Sequence, residues 1–135
     1  MRRLTAMVVA TCTIVIAAAL APSAFAWDGY PCGAQWYNSQ YRVTVQTCPD
    51  YSPLRDNRIP VLPTKKQNSW PVGYINPAGN DWYECQSQGE THQLHNVKNN
   101  WWAWTVADNG ARGWVAQTYF RGGLNFERDG NLRIC

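Results

Sequence analysis

The sequence predicts a small all-β protein, a barrel or a sandwich. Three observations lead there. Short aromatic and β-branched runs recur at close spacing between turns rich in Gly and Pro. No apolar stripe of helical period runs longer than about two turns. Four cysteines remain once an N-terminal leader is set aside, which suits a small domain braced by two disulfides.

The leader comes first. Arg2 and Arg3 form a basic start, Ala6 to Leu20 is apolar, and Ala24-Phe25-Ala26 is a small-residue cleavage site. The expectation is a signal peptide over residues 1–26 and a secreted single domain over 27–135. A transmembrane anchor needs about 20 apolar residues, and no later stretch qualifies. No membrane association is therefore expected after cleavage. Of 135 residues, 109 then remain, with ten basic and nine acidic side chains. A nucleic-acid reader carries a clustered basic face; this chain does not, and nucleic acid is not expected as a partner. Cys12 leaves with the leader, and Cys32, Cys48, Cys85 and Cys135 stay. An oxidising compartment would join them as two bridges. Four cysteines allow three pairings, and the sequence does not choose among them.

The elements follow in order. Residues 27–35 read as an irregular lead. Tyr41, Val43 and Val45 alternate with Arg42, Thr44 and Gln46, the pattern of a half-buried strand. This is an extra N-terminal strand ahead of the main domain. Cys48 to Pro63 holds four prolines and reads as a long ordered loop with short extended pieces. Trp70 to Ile75 is a short strand broken by Pro71 and Gly73. Asn76 to Asn80 is a turn, and Asp81 to Gln86 is another strand. Ser87 to Asn100 is polar, with Gly89 as its turn.

Asn99 to Phe120 is the most informative stretch. Trp101 to Val106 suits a strand, Asp108-Asn109-Gly110 supplies a turn, and Gly113 to Val115 is the return run. Trp102 and Trp104 fall on one face, and with Trp114 they are candidates for the core. Trp101 points the other way, towards a partner or another layer. Gly122 to Cys135 is a tail that a bridge through Cys135 would tether to the domain.

The segment from about Cys48 to Phe120 resembles a bacterial SH3-like (SH3b) domain. The family pattern is met at Pro53-Leu54-Arg55, at Pro71-Val72-Gly73-Tyr74-Ile75, and at the turn Pro77-Ala78-Gly79-Asn80. It is met again at the Trp strand, Asn100 to Thr105. The most specific match is the closing element, Gly113-Trp114-Val115-Ala116-Gln117-Thr118-Tyr119-Phe120. The family's Arg-x-Gly-Pro turn is absent, since Asp56-Asn57 follows Arg55. The composition also looks like that of small secreted actinobacterial proteins with one disulfide-bonded SH3b domain. The resemblance implies a small SH3-like barrel, and a cell-wall target, because related domains accompany cell-wall hydrolases.

The residues point to binding rather than catalysis. The mature cysteines are expected in bridges, which leaves no thiolate nucleophile. His92 and His95 read as a surface loop; zinc needs three or four ligands in recognisable spacing. Lys65-Lys66 reads as solvated. No spacing singles out a carboxylate pair among Asp81, Glu84, Glu90, Asp108, Glu127 and Asp129, and Gly122-Gly123 is no phosphate loop. Neither an enzyme, a metal nor a cofactor is expected. The aromatics carry more weight. Eight Trp, seven Tyr and two of the three Phe remain after cleavage, more large rings than one small core would hide. The candidate ligand-binding residues are Trp101, Tyr51, Tyr74 and Tyr119. Asn99, Asn100, Gln117 and Arg112 are the candidate rim donors. The expected partner is an extracellular peptide or glycan, with peptidoglycan implied by the resemblance. The alternative is an enzyme inhibitor or secreted-protein partner docking through the proline-rich loop Asp50 to Pro63. A third possibility is that the flanking segments cover the rings.

Overall fold

The computed structural model describes residues 30–77, 81–122 and 125–135. The leader and its cleavage site lie outside the described residues, as do three residues of the Asn76 to Asn80 turn. Among the described residues, eight strands and one short 3-10 turn make up the regular structure: β1 Gln35–Asn38, β2 Val43–Cys48, β3 Ile59–Val61, β4 Gly73–Ile75, β5 Asp81–Tyr83, β6 Cys85–Leu94, β7 Val97–Val106 and β8 Arg112–Ala116. The 3-10 turn, Gln117–Tyr119, follows β8 directly. The protein is all-β, and every strand pair is antiparallel.

Three small sheets share the core, in the orders β1-β2-β5, β3-β4 and β6-β7-β8. They meet at bridges. Leu62 and Trp114 exchange both backbone hydrogen bonds, each 2.8 Å, and so join the second sheet to the third. The Glu84 N–H donates to the Trp104 carbonyl at 2.8 Å, and the Thr105 hydroxyl donates to the Trp82 carbonyl at 2.7 Å. These two contacts tie β5 to β7. Among the described residues the sheets do not run on into one closed barrel. Ile59, Val61, Ile75, Tyr83, Trp102, Ala103, Val115 and Phe120 form the buried centre.

The bridges pair Cys32 with Cys48 and Cys85 with Cys135. The first closes the β1-β2 hairpin. The second tethers the tail, whose Ile134 lies in a parallel bridge with Gln86. Three fully buried amides then lock tail to sheets. Gln46 donates to the carbonyls of Gly33 (2.9 Å) and Asn131 (2.8 Å) and accepts from the Arg133 N–H (2.9 Å). Gln86 donates to the carbonyls of Asp129 and Leu132 and accepts from the Gln117 amide. The Gln117 oxygen accepts from the Asp129 N–H at 3.0 Å. The Asp129 carboxylate, itself buried, accepts from the backbone of Cys32, Asn131 and Leu132. The three amides and the Asp129 carboxylate are thus matched, as burial requires.

Several expectations change. The N-terminal region holds two strands, not one. Trp36 belongs to β1, and Tyr41-Arg42 form the turn, with Arg42 at φ 56°. The polar stretch Ser87 to Asn100 is a strand pair. It turns at His95 (φ 51°), and the register shifts between Gln88 and His92. Gly89 sits in that shift because the Trp102 ring and Lys65 leave no room for a Cβ: the Trp102 ring would stand 2.9 Å away and the Lys65 Cβ 2.4 Å. The polarity misled because one side of β6 faces water.

Candidate functional site

Among the described residues one open groove encloses about 480 Å³. Tyr30 and Tyr51 line it with rings, Phe120 backs it from the core, where its ring packs on Tyr83 at 4.7 Å, Val97 adds an apolar edge, and Arg121 stands beside Gly122. Asn99 and Gln117 form part of its floor. Two of the strips of chain that line it are held together by their backbones. The Tyr51 N–H donates to the Tyr119 carbonyl at 2.9 Å, Asp50 bridges Phe120, and the Arg121 N–H donates to the Pro49 carbonyl at 3.0 Å. The loop after β2 is thereby laced to the segment after the 3-10 turn. The Arg121 Nε donates to the Asp50 carbonyl at 2.9 Å, which fixes the base of the guanidinium.

Behind this wall lies a buried acid. Asp50 has no solvent exposure, and its Oδ2 accepts the Tyr83 hydroxyl at 2.8 Å. Burial pushes its pKa from 3.8 up to about 7, and the charge of Asp81 adds to the effect; the Tyr83 hydrogen bond and Arg121 pull the other way. Burial, then the Asp50 charge, raises Tyr83 well above its usual range. Asp81 opens on its other side to a second pocket of about 290 Å³, which it lines with Asp108, Gln40 and the Tyr41–Trp82 ring pair (centroids 5.2 Å apart).

Of the four residues chosen from the sequence, only Tyr51 lines the main groove. Tyr119 supplies its carbonyl to that wall, but its side chain is buried against His92, ring centroids 5.6 Å apart, and burial lifts its pKa to about 12. Tyr74 sits under the Arg58 guanidinium, 4.2 Å from the ring centroid, in a separate pocket of about 210 Å³ beside Asp108 and Asn109. Trp101 is half-buried on β7 opposite Gln88. Among the described residues no ring contact joins any two of the four.

The rim donors divide in the same way. Asn99 and Gln117 line the groove, yet both are almost fully buried and spend their amides on Glu127 and Gln86. Asn100 is half-buried on β7, and Arg112 is engaged by Glu84 at 2.8 Å. Trp102 is buried, with its indole N–H on the Glu90 carbonyl at 2.8 Å. Trp104 and Trp114 are half-buried and meet edge to face at 4.9 Å, and Lys65 covers Trp114.

His92 is no surface residue. It is buried, its Nδ1 shares a 2.8 Å hydrogen bond with the Thr118 hydroxyl, and burial lowers its pKa to about 4. Lys65 likewise is half-buried, its ammonium donating to the Ser87 hydroxyl at 2.8 Å. Among the described residues no group of three or more His, Cys, Asp or Glu is gathered for a metal. Among them, too, no helix is long and apolar enough to cross a membrane.

Sequence reasoning missed Tyr30, Phe120 and Arg121 as wall residues. Phe120 closes the family-like motif and was within reach of that reading. Tyr30 and Arg121 carry no local signal; only the folded chain puts them together. Among the described residues the most exposed aromatic, Trp70 at 90%, lies outside the groove, as does Tyr37, while Tyr30 within it is 61% exposed. Comparison with protein-family models, with curated proteins and with solved structures finds no match for this chain.

Proposed function

We propose that the protein is a secreted, non-catalytic binding module of SH3b type whose ligand is an extracellular peptide or glycan of the cell wall. The observation that carries this reading is the groove itself. About 480 Å³ of open space is lined by Tyr30 and Tyr51 and backed by Phe120. Flat rings in a concave, partly apolar wall suit the faces of sugars and extended peptides, which they bind by contact area. The two disulfides fit a protein working outside the cell. The likeness to SH3b domains rests on Gly113 to Phe120, which runs from β8 into the 3-10 turn and ends on a groove residue. A non-catalytic role accords with the bridged cysteines, which offer no thiolate nucleophile.

The test is sedimentation with purified cell walls. The protein is expected to pellet with them. Tyr51→Ala is expected to weaken binding by about tenfold, the scale of one well-buried ring contact. Trp101→Ala is expected to leave it nearly unchanged. Protein that stays in the supernatant overturns the reading.

A second reading is favoured by Trp70. It stands 90% exposed between the turn that follows the proline-rich loop and Pro71. A lone protruding Trp is the kind of side chain that anchors protein interfaces. In that reading the module inhibits or docks on a secreted protein, and Trp70→Ala abolishes capture of that partner without touching wall binding.

A further inference from the structure

We infer that the groove selects ligands bearing a carboxylate, and that Arg121 is the residue that reads it. The inference rests on the groove being the ligand site, and it goes further by naming the chemistry recognised there. Arg121 is the only charged side chain among the described residues lining the groove. Its Nε is spent on the Asp50 carbonyl at 2.9 Å, and its backbone N–H on the Pro49 carbonyl at 3.0 Å. Both ends of the residue are thus held. Among the described residues the terminal guanidinium nitrogens have no hydrogen-bond or ion-pair partner.

Arg42, Arg55 and Arg128 are exposed and lie outside the groove, and three further arginines are engaged within the chain. Arg58 and Arg112 face carboxylates of this chain at 3.0 and 2.8 Å. Arg133 is turned inward onto the Glu84 and Thr44 carbonyls. Arg121 is braced and still has donors to offer. A guanidinium fork matches a carboxylate in plane and spacing. Bracing lowers the entropy lost when it engages. No acidic side chain is among the described residues lining the groove; Asp50, whose carboxyl the Arg121 charge reaches, is buried behind the wall. The rings beside it would hold the flat or apolar body of the same ligand. A carboxylate on such a body can come from a sugar acid or from a peptide C-terminus.

Two matched pairs of probes separate those sources. N-acetylmuramic acid and N-acetylglucosamine share a ring and differ by a lactyl carboxylate. Acetyl-D-alanyl-D-alanine and its C-terminal amide differ only at the terminal group. Each is titrated into the intact protein and followed by amide chemical shifts around the groove. The charged member of at least one pair is expected to bind about tenfold more tightly, the scale of one charge-assisted hydrogen bond. The pair that discriminates names the source. Arg121→Gln is expected to abolish the preference, Arg121→Lys to keep part of it, and Tyr51→Ala to weaken both members of the pair equally. Equal binding of both members in both pairs overturns the inference, as does a preference that survives Arg121→Gln. Either result leaves the wall-binding reading standing if the protein still sediments with walls.

Discussion

At the scale of single residues, two buried titratable groups pull stability in opposite directions. Asp50 holds its proton up to about pH 7 in the fold, against 3.8 ordinarily. Its contribution is complete in acid and declines as pH rises from the ordinary value through about 7, because the unfolded chain releases the proton first. His92 titrates near 4 in the fold instead of 6.5. Its contribution is present above 6.5 and is lost as pH falls towards 4. Between about pH 4 and 6.5 the two slopes oppose each other, each on the order of 1.4 kcal/mol per pH unit. Asp50→Asn keeps a neutral group that can still accept the Tyr83 hydroxyl, and it unmasks the His92 slope. Urea midpoints measured from pH 4 to 7 are expected to rise with pH in this variant and to change little in the parent. A variant profile that stays flat would count against a raised Asp50. None of this was legible in the sequence. Asp50 follows Cys48-Pro49 and looks like the start of a loop, and His92 sits among polar residues. Their burial comes from Phe120, Tyr83, Thr118 and Trp102, which are remote in sequence.

At the scale of elements, the junction of β3 and β8 is a close contact between two sheets. Gly113 stands where a Cβ would lie 2.5 Å from the Leu62 carbonyl oxygen and 2.8 Å from Val61 Cγ1. The paired Leu62–Trp114 hydrogen bonds need that approach. Gly113→Ala is therefore expected to cost about 1–3 kcal/mol, the usual toll of overpacking, read as a lower urea midpoint with the slope unchanged. The hairpin around Gly113 was the most legible part of the chain. Aromatic and β-branched runs flank Asp108-Asn109-Gly110, and Gly110 takes φ 86° as an Asn-Gly turn demands. The faces were less legible. Alternation put Trp102, Trp104 and Trp114 together on one inward face, whereas Trp102 alone is sealed. Ala103 and Val115, on the opposite face, are both fully buried. Both faces of this hairpin are covered, so a two-residue period no longer tells inside from outside. The β6 strand was hidden for the converse reason, its solvent side masking its register.

At the scale of the whole molecule, an all-β chain with a tethered tail was foreseen, while the partners of each cysteine and the groove were not. Disulfide pairing and groove lining both depend on which distant segments meet, and local patterning is silent on that. The tail is more than an appendage, because Asp129, Asn131 and Arg133 complete the hydrogen bonding of Gln46, Gln86 and Gln117. Replacing Cys85 and Cys135 together by Ser is expected to lower stability by about 2–5 kcal/mol. Amide exchange is expected to show Gln86 and Arg133 losing protection first. An unchanged exchange pattern would mean that the amides hold the tail without the bridge. The same buried amides impose an order of assembly. A chain built from its N-terminus lays down Gln46, Gln86 and Gln117 well before residues 129–133 exist to pair with them. The interior cannot be finished segment by segment as the polypeptide lengthens; it closes in one late event once the last turn of chain is at hand.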